Sequence, residues 1–194
     1  ALNNANIATP KTIIVHKDNR DEVLEKTGLP CVLKAPDSTF SFGVKKAKTV
    51  EEYNELVTHM LKESDLIIAQ EFCPSDYDWR IGILDDVPFF ACKYYMAKGH
   101  WQIYNWDAKK KDDQDGNADC LPIDKVPKKV LKMALKSAKL MGKGLYGIDI
   151  KVVNEIPMVI EINDNPNIDF GVEDAFYGDR IYTQILTALK NRLE

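Results

Sequence analysis

Apolar residues along this chain fall into short clusters whose spacing switches between the strand period and the helix period. Thr12-Ile13-Ile14-Val15 is a β-branched run that predicts a strand, and Asp18 is a candidate N-cap for a helix over about 19–26. Gly28 and Pro30 close that helix, and Cys31-Val32-Leu33-Lys34 predicts a buried strand. A loop of small and turn residues at 37–43 leads to a short strand at 44–47. Thr49 followed by Glu52 is a capping-box pattern. Tyr53, Leu56, Val57, Met60 and Leu61 then give the helix one apolar face. Leu66-Ile67-Ile68-Ala69 predicts another buried strand, ending at Gln70-Glu71-Phe72.

The second half is built from hairpins. Segments 79–84 and 87–95 flank Asp85-Asp86, a turn signal, and 100–106 reads as a further strand. Residues 107–120 are highly charged, carry no apolar period, and read as an exposed, mobile loop. The 124–141 stretch predicts an amphipathic helix with Val130, Leu131, Ala134, Leu135, Ala138 and Met141 on its buried side, stopped by Gly142 and Gly144. Segments 147–153 and 158–162 predict a second hairpin through Asn154-Glu155-Ile156-Pro157, and 179–192 a final helix. This order is mixed α/β with hairpins, an α+β arrangement unlike a run of identical βαβ units.

Composition narrows the class. With 45% hydrophobic and 29% charged residues, the 194-residue chain suits one buried domain or two small lobes. A net charge of −4 argues against a sequence-independent nucleic-acid binder, so no nucleic-acid partner is expected. The runs Lys109-Lys110-Lys111 and Lys128-Lys129 sit among acids and read as solvated faces. Cys31 and Cys92 lie in apolar runs and are expected to be reduced, buried thiols; with Cys73 and Cys120 they form no disulfide framework or zinc pattern. No apolar stretch is long enough for a membrane span and no signal peptide is recognisable, so no membrane partner is expected and a cytoplasmic location follows by default. The start at Ala1, in a loop-like stretch, suggests a piece cut from a longer chain, and Leu193-Glu194 fits a native end or a cloning remnant equally.

Chemistry concentrates in the last hairpin. Glu161 and Asn163 share one strand face by their i, i+2 spacing, and pairing through the turn places Asp149 opposite them. Three hard oxygen donors would then converge, as magnesium requires. Taken alone, the two acids suit a solvated strand face equally well; the flanking Ile148, Ile150, Val159, Ile160 and Ile162 favour the metal reading. Lys34, ending a buried strand ahead of a small-residue loop, could serve phosphates together with the loop's N–H groups, or it could snorkel to solvent. The loop is not a Walker A motif.

In order, Pro10-Lys11-Thr12, Val32-Leu33-Lys34 with Ser41-Phe42-Gly43-Val44, Gln70-Glu71-Phe72, Asp78-Trp79-Arg80, Gly147-Ile148-Asp149-Ile150 and Val159-Ile160-Glu161-Ile162-Asn163-Asp164-Asn165-Pro166 resemble an ATP-grasp ligase. Within that superfamily the chain is most similar to RimK-type glutamate ligases and glutathione-synthetase-like enzymes. The resemblance implies the ATP-grasp fold: two α+β lobes with ATP held between their sheets. Residues 1–15 would connect into the fold, 16–73 would form the small lobe and 74–194 the large lobe with the metal site, the domain that precedes them in such ligases being absent. It implies that Lys11 and Lys34 contact ATP phosphates with the Ser41, Phe42 and Gly43 loop. Gln70, Glu71 and Phe72 would meet adenine and Asp78 the ribose. Arg80 would lie near the γ-phosphate, Lys93 near phosphate or substrate, and Asn105 at the end of the next loop. Asp149, Glu161 and Asn163 would hold magnesium, two ions in such sites, with manganese as an alternative.

The implied reaction is amide formation: ATP phosphorylates a carboxylate and an amine displaces phosphate from the acyl-phosphate. Its carboxylate and amine partners would come from an amino acid, a peptide or a protein terminus, and a homo-oligomer is compatible with it. No enzyme nucleophile is needed, in keeping with the scattered His16, His59 and His100. The chain departs from the RimK pattern at 100–105, which lacks an arginine, in the charged 107–120 segment, and at Asn165-Pro166-Asn167-Ile168-Asp169. All three fall on the substrate side and leave the substrate open. D-alanine–D-alanine-type and glutathione-type ligases, an ATP-binding module without turnover, and a non-catalytic α/β interaction domain stand as alternatives.

Overall fold

The computed structural model describes residues 1–37 and 41–193. Ser38, Thr39 and Phe40 of the expected phosphate loop, and the terminal Glu194, lie outside the described residues. The chain divides into two compact units, one of Pro10–Pro74 and one of Ala1–Thr9 with Ser75–Glu194.

The Pro10–Pro74 unit runs β1 (Thr12–Val15), α1 (Val23–Thr27), β2 (Cys31–Lys34), β3 (Val44–Ala47), α2 (Val50–Glu63) and β4 (Ile67–Glu71). Its strands form an antiparallel sheet in the order β1-β4-β2-β3. The strand period sends Val15, Cys31, Leu33, Ala47, Ile67 and Ala69 into a core with Tyr53, Val57, Met60 and Leu61 of α2. Lys34 and Gln70 fall on the other face. Half of the expected capping box forms: Thr49 Oγ1 accepts from Glu52 N at 3.2 Å, while Glu52 Oε2 accepts from Lys48 N at 2.6 Å, one residue before the N-cap. The first helix is shorter than its predicted 19–26, with a 3₁₀ turn at Arg20–Glu22 before α1. Asn19 is spent on closing the preceding turn, accepting from His16 N and donating to Ile14 O, both at 2.9 Å.

The larger unit contains β5 (Tyr77–Leu84), β6 (Val87–Tyr95), β7 (Ala118–Cys120), α3 (Lys128–Ala138), β8 (Leu145–Val153), β9 (Ile156–Asn163), α4 (Asp174–Tyr177) and α5 (Arg180–Lys190). The strands form an antiparallel sheet in the order β7-β6-β5-β8-β9. Both predicted hairpins form, through two-residue turns with positive φ at Asp85 and Asp86 (49° and 68°) and at Asn154 and Glu155 (49° and 64°). These are the turns that match strand twist. The second is tighter than expected, because Ile156 and Pro157 enter β9. α3 begins only after Pro127, since the residue before a proline is held away from helical geometry.

Residues 100–106 form no strand, only a single bridge between Tyr104 and Asp115. The open edge of β6 is taken instead by β7, drawn from the charged segment expected to be loop, which also holds a 3₁₀ turn at Lys111–Asp113. That pairing corrects the cysteine expectation. Cys92 lies opposite Cys120 in the β6–β7 register, and the two form a disulfide. Cys31 and Cys73 are buried thiols, and burial pushes Cys31 up to about 11, against a hydrogen bond with Thr27.

One face of the larger sheet presents Trp79, Ile81, Ile83, Ala91, Ile148 and Ile150 to Val130, Ala134 and Ala138 of α3. On the opposite face Leu84, Phe90 and Cys92 pack against Ile181 of α5. Where that packing stops, the same face turns polar. No helix among the described residues is long and apolar enough to cross a membrane.

Candidate active site

The polar face is assembled by register. Arg80 on β5 pairs with Asp149 on β8, which pairs with Glu161 on β9. A bulge between Asp149 and Ile150 sets Ile150 opposite Val159, so one β9 residue is looped out. The extra residue changes parity: Val159 enters the α3 core while Glu161, two positions on, faces the site with Asn163.

Arg80 grips Asp149 in a two-pronged ion pair, Nε to Oδ1 at 2.8 Å and Nη2 to Oδ2 at 2.7 Å. Asn163 Nδ2 donates to Asp149 Oδ2 at 3.3 Å. Burial works against the Arg80 charge, but Asp149, with smaller help from Tyr94 and Glu173, outweighs it and holds the guanidinium above its ordinary value. The Arg80 Cζ also lies 5.2 Å from the centroid of the Tyr94 ring. Tyr94 OH donates to Glu173 Oε1, and Glu173 Oε2 accepts from Asp169 N at 2.8 Å. Burial, then Glu173, push the Tyr94 phenol well above its usual range. Glu173 itself is fully buried.

Next along the sheet, Lys151 Nζ donates to Asp78 Oδ1 at 2.6 Å and to Ser75 Oγ at 2.7 Å. Burial pushes the Asp78 carboxyl up, Lys151 pulls against it, and Asp149 adds to the rise. Lys93 is elsewhere. It pairs with Trp79 rather than Arg80, and its Nζ sits over the Tyr77 and Trp79 rings, 4.6 and 5.2 Å from their centroids, on the α3 side. Asn105 lies in the connection after β6, where its N–H is bonded to Gln114 O at 2.6 Å.

In the Pro10–Pro74 unit, Lys34 Nζ donates to Gln70 Oε1 at 2.8 Å, and Gln70 Nε2 donates to Thr12 Oγ1 at 3.0 Å. The Lys11 backbone is clasped by Glu71, whose N–H donates to Lys11 O at 2.8 Å and whose Oε2 accepts from Lys11 N at 3.3 Å. The Lys11 residue is exposed. Ser41 and Gly43 take positive φ, 61° and 68°, at the exit of the small-residue loop, and Phe42 between them is exposed. Lys46 Nζ stands 4.3 Å from the Phe72 ring centroid. Burial, then Lys48, lower the Lys46 pKa. The structure thus brings Lys11, Lys34, Gln70, Glu71 and Phe72 together in one unit, and Asp78, Arg80, Asp149, Glu161 and Asn163 in the other.

Lys46, Tyr94, Lys151 and Glu173 were not found from sequence. Lys46 and Lys151 were within reach, as each follows strand period 2 from a residue already on the right face; Glu173 carries no such signal.

The donor chemistry fits a divalent cation. Asp149 and Glu161 supply carboxylate oxygen and Asn163 an amide, all hard ligands on one face. Among the described residues no group of three or more His, Cys, Asp or Glu converges at metal range, so the set is two carboxylates and an amide. Gly147, paired with Asn163, makes room for Pro166, since a Cβ there would lie 2.8 Å from Pro166 Cβ. Gly147→Ala is expected to push the 163–166 segment away and cost about 1–3 kcal/mol of stability. Metal-dependent nucleotide affinity should fall while metal-free affinity holds, which calorimetry with and without magnesium separates.

The chain belongs to the family described as the D-ala D-ala ligase C-terminus, matched over residues 3–169. It is similar to proteins named "Probable alpha-L-glutamate ligase", 28% identical in Shewanella loihica and 26% in Vibrio vulnificus strain YJ016, each over 90% of this chain and 56% of the relative. The chain therefore spans little more than half the length of these curated relatives. Among solved structures, a D-alanine–D-alanine ligase from Bacillus anthracis superposes with a TM-score of 0.76 at 20% identity, covering 98% of this chain and 65% of that one. The same enzyme complexed with ATP gives 0.71 at 22%, over 98% and 64%. The ATP-grasp ligase PsnB, complexed with precursor peptide PsnA2 and AMPPNP, gives 0.60 at 15%, over 86% and 47%. The fold is that of the ATP-grasp ligases.

Proposed function

We propose that this chain is the nucleotide-binding and catalytic part of an ADP-forming carboxylate–amine ligase. The observation that carries the reading is the sheet face on which Arg80, Asp149, Glu161 and Asn163 meet, in a fold shared with ligases solved with ATP or AMPPNP. Lys11 and Lys34 would serve the phosphates, with Ser41, Phe42 and Gly43. Gln70, Glu71 and Phe72 would border adenine and Asp78 the ribose. Asp149, Glu161 and Asn163 would hold divalent ions, two magnesium ions by preference, which when bound neutralise phosphate charge. Arg80, in a half-buried setting, offsets charge developing on the transferring phosphoryl group. Asn105 remains a proposal for the substrate end; Lys93, on the α3 face, is not carried into it.

The relatives' name supports glutamate as the amine substrate and a peptide or protein terminus as the carboxylate, since PsnB was solved with a peptide. The cytoplasmic setting expected from the sequence belongs to the same proposal, although the Cys92–Cys120 bond is of a kind rare there. One second reading has support, a nucleotide-binding piece without turnover, because the chain spans 56% of its relatives. Calorimetry should show magnesium-dependent ATP binding, and phosphate release should require glutamate together with a peptide carboxylate. Binding without release favours the second reading; no binding at millimolar nucleotide sinks both.

A further inference from the structure

Asp149 raises a problem that the functional reading leaves open. Its side chain is only 15% exposed, and an isolated carboxylate in that setting is strongly disfavoured. A ligand for a divalent ion must nevertheless persist when no ion is bound. The structure shows how: both Asp149 oxygens face donors, Arg80 Nε on Oδ1, and Arg80 Nη2 with Asn163 Nδ2 on Oδ2. Asn163 Nδ2 is also 3.4 Å from Gly147 O. The Asn163 amide thus turns its nitrogen, not its oxygen, toward the carboxylate.

We propose that Arg80 is the built-in counter-cation of the metal site, holding Asp149 while no divalent ion is bound and releasing it when one binds. The proposal rests on the metal reading of Asp149, Glu161 and Asn163. Two positive charges cannot share one half-buried carboxylate without repulsion, so ion and guanidinium compete for it. Release leaves Arg80 its Tyr94 contact but not its carboxylate, so a ligand anion must take the place of Asp149. The guanidinium already lies against the Tyr94 ring, and that ring is fixed by the Tyr94 hydroxyl on fully buried Glu173. Tyr94 and Glu173 are positioning residues here: they keep Arg80 over the sheet face after Asp149 is given up. In the same event the Asn163 amide turns its oxygen to the ion. The exchange couples metal arrival to the freeing of a guanidinium, so that Arg80 becomes available to a phosphoryl oxygen only when the ion is in place.

The test is manganese binding to the full chain without nucleotide, followed by electron paramagnetic resonance of free Mn2+. Arg80→Met is expected to bind Mn2+ about tenfold or more tightly than the parent, the scale of a charge-assisted hydrogen bond lost by a competitor. Mn2+ should also raise its melting temperature by more than it raises the parent's. A measurement on the parent protects against a variant that does not fold. The Arg80 Nε–H resonance in ¹⁵N spectra, assigned by its absence in Arg80→Gln, should shift when Mg2+ is added. Equal or weaker Mn2+ binding by Arg80→Met overturns the proposal, as does an Nε–H signal indifferent to Mg2+. If Mn2+ binds the parent and Asn163→Ala weakens it, the metal reading survives that failure. If Mn2+ binds neither parent nor variant, both fall.

Discussion

Asp149→Ala is expected to lower the stability of the Ser75–Glu194 part of the chain by about 3–5 kcal/mol and to abolish the metal-dependent turnover proposed above. The stability loss follows from what the substitution leaves behind. Arg80, whose side chain is 19% exposed, keeps its charge, because the guanidinium does not deprotonate in proteins. It would lose both prongs of its ion pair, at 2.8 and 2.7 Å, and retain the Tyr94 ring as its nearest compensation. Removing one partner of a half-buried pair is far more damaging than removing both. Arg80→Met with Asp149→Leu is therefore expected to recover most of the stability and none of the activity. Urea unfolding of parent, single and double variants measures the first effect, and phosphate release the second. A single variant within about 1 kcal/mol of the parent would show that the pair is not formed in solution, since intact pairs of this burial are worth more when broken.

Such a pair was only half legible in the sequence. The strands themselves were readable, because β-branched runs such as Thr12-Ile13-Ile14-Val15 and turn signals such as Asp85-Asp86 are local. The i, i+2 placement of Glu161 and Asn163 on one face was readable for the same reason. What no local pattern contained was the register between strands distant in sequence. That register puts Arg80 on Asp149 and Lys93 on the face opposite Arg80. It also brings Cys120 to Cys92 across 28 residues, through a strand hidden in the charged 107–120 segment. Ala118-Asp119-Cys120 has no strand signature of its own; it is a strand because β6 offers it an open edge. Helix ends failed where a competing local bond won. Asn19 bonded backward to Ile14 and His16, and Pro127 delayed α3 past the start at 124 expected for it. The resemblance to ATP-grasp ligases supplied more candidate residues than spacing did, but it named them one by one. The contacts among them, Lys151 on Asp78 and Tyr94 on Glu173, belong to packing.

Lys151→Met is expected to cost about 3 kcal/mol at neutral pH, and the loss should shrink as the pH is lowered. Asp78 and Lys151 have side chains 14% exposed each and are joined at 2.6 Å, so the substitution leaves a buried carboxyl with Ser75 Oγ as its remaining partner at 3.1 Å. Burial already pushes the Asp78 pKa up in the parent, and Lys151 is the cation that opposes it. Without Lys151, burial and Asp149 raise it further. A carboxyl whose folded pKa exceeds its unfolded value of about 3.9 holds its proton more tightly when folded. Folding is then favoured by protonation: the penalty is fully present above the folded pKa and fades as the pH falls toward the unfolded value. The sign is opposite to that of an ordinary salt-bridged aspartate, whose stabilisation disappears on acidification. Urea unfolding of the parent and Lys151→Met at pH 7.5 and pH 5 should show the gap between them narrowing at the lower pH. Adding Asp78→Asn to Lys151→Met should remove the pH dependence, because the amide has no proton to gain. A gap that stays constant with pH would mean that Lys151 acts through its aliphatic packing and not through the charge on Asp78.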